Sequence, residues 1–167
     1  MDAERRQKVT AYFALMEAGA LLRHHVEQQL RRDGDLSYVQ FRILAQLANA
    51  PEGTLRMTDI ADGVVYSRSG LTYQAGLLAQ SGLVRRETSP DDERAVAVTI
   101  TQAGKERLDS ILPGHVATVN RDLFGPLSED DVRAMADVLS RVRDHLRTIP
   151  PRSAAPRPGA KKVERAS

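Results

Sequence analysis

The 167-residue chain contains no cysteine and no tryptophan. Without thiols there is no disulfide, no thiolate metal ligand, no cysteine nucleophile and no thiol redox sensor. Aromatic residues make up only 4% of the chain, so an aromatic-lined recess has few side chains to draw on. No apolar run reaches the roughly 18 residues that a membrane-spanning helix needs. The opening Met1-Asp2-Ala3-Glu4-Arg5-Arg6 is not followed by an apolar stretch of the signal-peptide kind. The expectation is a cytoplasmic protein. Enzyme signatures are missing too: no G-x-S-x-G, no glycine-rich phosphate loop and no H-E-x-x-H. The chain is therefore expected to be no enzyme, with no catalytic residues and no cofactor.

What is present is an ordinary globular balance, 41% hydrophobic and 28% charged, which suits one domain with an appendage. Charge is unevenly placed. From Ile149 onward, Arg152, Arg157, Lys161, Lys162 and Arg165 face a single acid, Glu164, whereas the 148 residues before it hold 19 basic and 21 acidic side chains. The body is not basic in bulk, so any nucleic-acid footprint must come from a few placed arginines. Four of the eight prolines (Pro150, Pro151, Pro156 and Pro158) also fall in the tail, and residues 150–167 read as a disordered, basic, proline-rich segment.

Helical spacing dominates the rest. Val9, Tyr12, Phe13, Met16, Leu22, Val26 and Leu30 predict a first helix over about residues 5–31 that ends at Asp33-Gly34-Asp35. Ser37 reads as the N-cap of a second helix carrying Phe41, Ile43, Leu44 and Leu47, and Thr58 as the N-cap of a short third. Ser67 caps the next, with Leu71, Ala75 and Leu78 as its inward stripe. After Ser81-Gly82 the period changes. Residues 83–88 and 95–100 read as two strands joined by the polar turn Ser89-Pro90-Asp91-Asp92-Glu93-Arg94. Thr101 or Gln102 then starts a helix interrupted by Pro113, which should kink it. Ser128 caps a last helix whose Val132, Met135, Leu139, Val142, Leu146 and Ile149 form a heptad seam.

These elements make a mainly α fold with a small β-hairpin wing: a winged helix-turn-helix with dimerisation helices at both ends. The expected division is an N-terminal dimerisation helix (1–36), the winged helix-turn-helix (37–101), C-terminal dimerisation helices (102–149) and the tail (150–167). Apolar seams at both ends of a monomer call for a copy to cover them, so a homodimer is expected, presenting two recognition helices to half-sites one DNA turn apart.

Ser67-Arg68-Ser69-Gly70-Leu71-Thr72-Tyr73-Gln74, Gly82-Leu83-Val84-Arg85-Arg86, Asp92-Glu93-Arg94 and Thr101-Gln102-Ala103-Gly104 together resemble the multiple-antibiotic-resistance regulator (MarR) family. The likeness runs from about Val9 to Ile149 and is most specific in the wing. It implies a dimeric winged-helix transcription factor on a pseudo-palindromic double-stranded operator, commonly a repressor released by a small, often phenolic, ligand. The chain departs from the family pattern at Glu93 and Tyr73, where basic residues are usual; both changes weaken phosphate attraction.

The candidate DNA contacts follow. Burial of Leu71, Ala75 and Leu78 turns Arg68, Ser69, Thr72, Tyr73 and Gly76 outward, and no acid stands between Ser67 and Arg86. An acid-free face suits a polyanionic groove, although an outward face is also often only solvated. Arg68 suits guanine, Thr72 a thymine methyl or phosphate, and Gln74, nearer the flank, adenine. Arg94 at the wing tip suits a narrow minor groove, with Asp92 steadying it; a plain surface ion pair is the alternative. Ser37 and Thr58 place helix N-termini that either bind phosphate or are simply capped. His24, His25, His115 and His145 lack the spacing of a metal site. Tyr12, Phe13, Met16, Tyr38 and Phe41 are the candidates for an effector pocket, or else for ordinary core. A winged-helix adaptor that binds protein instead of DNA is the competing functional class.

Overall fold

The first helix, α1, spans Ala3–Gly34 in the computed structural model, which describes residues 2–64, 68–89 and 92–149. It runs a few residues past the expected 5–31 at both ends and closes within Asp33-Gly34-Asp35. The left-handed position falls on Asp35 (φ 50°, ψ 40°), whose N–H bonds the Arg31 and Leu30 carbonyls, while the Leu36 N–H reaches Leu30 O at 3.3 Å. That pattern closes a helix in the way a glycine usually does. Gly34 serves packing instead: a Cβ there would stand 2.6 Å from Ile111 Cγ1.

Helix α2 (Tyr38–Ala48) leads through a short 3₁₀ turn (Pro51–Gly53) into β1 (Thr54–Arg56), α3 (Met57–Val64) and α4 (Arg68–Gln80). The wing strands β2 (Val84–Ser89) and β3 (Asp92–Ile100) precede α5 (Gln102–Val119), a π-helical turn (Asn120–Phe124) and α6 (Glu129–Thr148). The sheet is antiparallel with order β1-β3-β2, so β3 is central, and Thr54 pairs Thr99 while Val84 pairs Ile100. Strand β1 was not expected from the sequence. Three residues give no alternation to detect, and the Thr54 and Thr99 hydroxyls, 2.9 Å apart, help fix it.

Because β1 hands the chain directly to α3 at Met57, Thr58 lies inside that helix and is not its N-cap. Its hydroxyl donates to Asp59 Oδ1 at 3.4 Å. The hairpin also differs from expectation. The ladder steps from Thr88↔Val96 to Ser89↔Asp92, so Glu93, Arg94 and Ala95 form a bulge within β3, and Arg94 belongs to the strand and not to a free turn. Ser67, Pro90, Asp91 and the 150–167 tail lie outside the described residues.

Residues Met1–Gly125 form one compact unit and Pro126–Ser167 another. In the first, Leu30, Ile43, Leu44, Leu47, Ile60, Leu71, Leu78, Val98 and Ile111 are fully enclosed and join α1, α2, α3, α4, β3 and α5 in one core. Helix α5 continues through Pro113. In the second, α6 starts on a reciprocal cap: Ser128 Oγ accepts from the Asp131 N–H at 3.2 Å and the Asp131 carboxylate accepts from the Ser128 N–H at 3.0 Å. The Ser128 hydroxyl, donating to the same carboxylate at 2.6 Å, holds the Asp131 carboxyl below its ordinary range, with the Ser128 N–H adding to the effect. Among the described residues no helix is long and apolar enough to cross a membrane.

Candidate nucleic-acid interface

Helix α4 divides as its spacing demands. Leu71, Ala75 and Leu78 are buried, whereas Ser69, Thr72 and Tyr73 are exposed, Tyr73 by 65%. An exposed phenol on the same helix as three enclosed aliphatics has no core to serve. Arg68 opens α4, and Arg94 stands in the β3 bulge. Gln74 is half-buried, and its Oε1 accepts from the Ser37 hydroxyl at 3.5 Å. That contact ties the start of α2 to α4.

Ser37 has a second duty. Its Oγ accepts from the Gln40 N–H at 3.2 Å while Gln40 Oε1 accepts from the Ser37 N–H at 2.9 Å. This capping box satisfies two of the N–H groups that the sequence alone left open for phosphate. The part played by Gln40 is legible in the S-x-x-Q spacing but was not drawn from it.

The five pocket candidates do not converge within one chain. Tyr12, Phe13 and Met16 are exposed by 58%, 62% and 50%, with the Tyr12 and Phe13 rings edge to face at 5.2 Å. Tyr38 is half-buried, and Phe41 is a core residue whose ring lies 4.6 Å from that of His115. A cavity of about 340 Å³ lies elsewhere, lined by His25, Gln28, Gln29, Arg32, Thr118, Arg121 and Asp122. There Asp122 Oδ2 lies 3.1 Å from His25 Nδ1. The Arg121 guanidinium, bonded to the Asp122 carboxylate at 2.5 Å, holds it below the ordinary range, with His25 adding to the effect. Among the described residues no group of three His, Cys, Asp or Glu is placed to hold a metal.

The place of His115 on α5 against the Phe41 ring gives it a measurable role. Its Nδ1 is buried without a hydrogen-bond partner, and burial lowers its pKa from the ordinary 6.5. The unfolded chain thus takes up this proton first, so stability is fully present above pH 6.5 and declines as pH falls below it. Urea midpoints should be lower at about pH 5.5 than at about pH 7.5, and His115→Phe should shrink the difference. An unchanged difference in the variant would show that the ring titrates freely in the fold.

Three comparisons bear on this geometry. The MarR family model matches residues 34–95, from the end of α1 to the wing. The chain is 32% identical to Sco3205, a MarR family transcriptional regulator from Streptomyces coelicolor solved in complex with DNA. The match has a TM-score of 0.78 and covers 87% of this chain and 89% of that one. The chain belongs to the MarR family. It is also 31% identical to the HTH-type transcriptional regulator PecS of Dickeya dadantii over 113 residues, covering 66% of this chain and 67% of PecS. It is 28% identical to the HTH-type transcriptional regulator MhqR of Bacillus subtilis over 131 residues, covering 78% and 88%. This MarR-family chain is accordingly a DNA-binding, winged-helix transcriptional regulator and not an enzyme. Its wing is the β2–β3 hairpin.

Proposed function

We propose that the chain is a cytoplasmic, dimeric, sequence-specific repressor that binds double-stranded, pseudo-palindromic operator DNA and is released by a small aromatic or carboxylated ligand. The observation that carries the DNA reading is the exposed, acid-free face of α4, with Ser69, Thr72 and Tyr73 outward over buried Leu71, Ala75 and Leu78. In this reading Arg68, Ser69, Thr72 and Tyr73 meet the major groove together with Ser67, which precedes α4 in the sequence, and Ser37 and Gln74 brace α2 against α4. Thr58, exposed on α3, faces the phosphates, and Arg94 enters the minor groove from the wing.

Dimerisation is supported by uncovered apolar faces. Val9, Tyr12, Phe13, Leu15 and Met16 on α1 are exposed, as are Val138, Leu139, Val142 and Leu146 on α6 and Ile149 just after it. A second copy supplies the cover, and it also completes a recess in which Tyr12, Phe13 and Met16 join Tyr38 around the ligand. With no cysteine in the chain, peroxide has no thiolate to attack.

Arg68→Ala should cost about 1–3 kcal/mol on the preferred operator and relax one base position per half-site. Arg94→Ala should weaken binding with the preferred major-groove bases unchanged. Fluorescence anisotropy on matched and mismatched duplexes measures both, and salicylate titrated into the wild-type complex should lower the signal. Wild-type affinity in both variants contradicts this docking.

A further inference from the structure

Arg86 follows Val84 by two residues on β2 and pairs with Val98 of β3. Side chains alternate along a strand, so Val84, Val98 and Arg86 share one face of the sheet. Val84 and Val98 are buried, whereas Arg86 is exposed. Its side chain therefore leaves from the covered face at the point where the cover ends. What stands at that edge is α4: Arg86 Nη1 lies 3.8 Å from where a Cβ on Gly76 would sit.

Gly76 is three, four and seven residues beyond Tyr73, Thr72 and Ser69, the spacing of one helix face. Glycine inside a helix costs stability relative to alanine, and Gly76 has no left-handed backbone to require it. Here the missing side chain leaves bare backbone beside a guanidinium. Helix α4 itself has no lysine or arginine after Arg68, and no Asp or Glu occurs from Arg68 to Arg86. Among the described residues Arg86 has no carboxylate partner. A cation brought to the second half of a recognition helix, unneutralised and exposed, is placed for an anion.

The position of that anion follows from length. Gly76 is eight residues past Arg68, about 12 Å along the axis, and the major groove is about 12 Å wide. When the first turn of α4 reads base edges, Gly76 is at the groove's phosphate wall. We propose that Arg86, lying over Gly76, is a phosphate-binding residue that serves the recognition helix from the wing strand. The assignment rests on the DNA-binding reading above. Arg85 is the built-in control: it pairs with Thr99 and points to the opposite face of the same strand, so its removal changes net charge equally without touching α4.

The test uses the full-length chain and a mixed-sequence duplex of about 30 base pairs, long enough for two half-sites one turn apart. Binding is followed by anisotropy across a salt series. Arg86→Gln should flatten the slope of log K against log salt by about 0.9 per protomer. It should also weaken binding about tenfold at low salt. Arg86→Lys should recover most of the slope, Arg85→Gln should lose less than half as much, and melting temperatures should match wild type because Arg86 is exposed. An unaltered slope in Arg86→Gln overturns the assignment while leaving the DNA reading intact. An equal loss in Arg85→Gln also overturns it, because bulk charge then explains both. Wild-type protein that ignores the duplex at every salt concentration overturns the DNA reading itself, and this assignment with it.

Discussion

Gly104→Ala is expected to cost the fold about 3 kcal/mol or more, or to prevent folding, despite alanine's better helix propensity. Gly104 is buried in the first turn of α5, where an added Cβ overlaps the Leu83 carbonyl oxygen and stands 2.8 Å from Ile100 Cγ1. The Leu83 carbonyl is backbone and already accepts from the Thr101 N–H at 3.1 Å, so it has no rotamer by which to withdraw. Relief means moving the start of α5. That start is fixed by Thr101, whose hydroxyl accepts from the Gly104 N–H at 3.0 Å and donates to the Gly82 carbonyl at 2.7 Å. The substitution therefore sets a core clash against a cap, a loss larger than the roughly 1 kcal/mol that alanine gains over glycine in a helix. Urea unfolding followed by circular dichroism measures it. A variant as stable as wild type would mean that α5 slides freely on β2.

The second large effect is expected from the double substitution of Leu139 and Val142 by Glu. Both are exposed on α6, by 39% and 42%, so neither change opens a cavity within the chain. In a dimer both meet a partner, and two carboxylates buried there without a cation are costly. Sedimentation equilibrium should show monomers. Operator affinity should fall by about 10²- to 10⁴-fold, because the second half-site is no longer tethered to the first. An unchanged dimer would remove α6 from the interface and leave the exposed apolar face of α1 as the alternative.

Much of the architecture is legible in the sequence because it rests on long periodic segments. The stripe of Leu71, Ala75 and Leu78 gave α4 and its outward residues together, and the three acids behind Ser128 marked the start of α6. What escaped was short or depended on distant partners. Strand β1 is three residues long and exists because β3 has an open edge for it. Thr58 looks like a cap in isolation, but the strand before it starts the helix one residue earlier. Asp35 takes the left-handed position because Gly34 is needed against Ile111, a contact across 77 positions of sequence. The bulge at residues 93–95 is a register property that composition does not encode.

The site was legible to a similar depth. Which face of α4 is outward follows from three apolar residues alone. Whether Phe41 lines a recess or fills the core does not, since one helical spacing serves both; its packing against His115 decided for the core. Arg86 escaped because strand alternation labels it as an inward position, and only the absent side chain at Gly76 shows where its guanidinium goes.

The central claim is that this chain reads DNA sequence through α4 as a two-fold dimer. The most direct measurement is selection of bound duplexes from a random pool by the purified full-length protein, followed by sequencing. The account predicts enrichment of a pseudo-palindrome whose half-sites are centred about 10 base pairs apart, with Arg68→Ala protein losing preference at one position in each half. Recovery of unenriched sequence, or of a single asymmetric site bound equally well by Arg68→Ala, would contradict it.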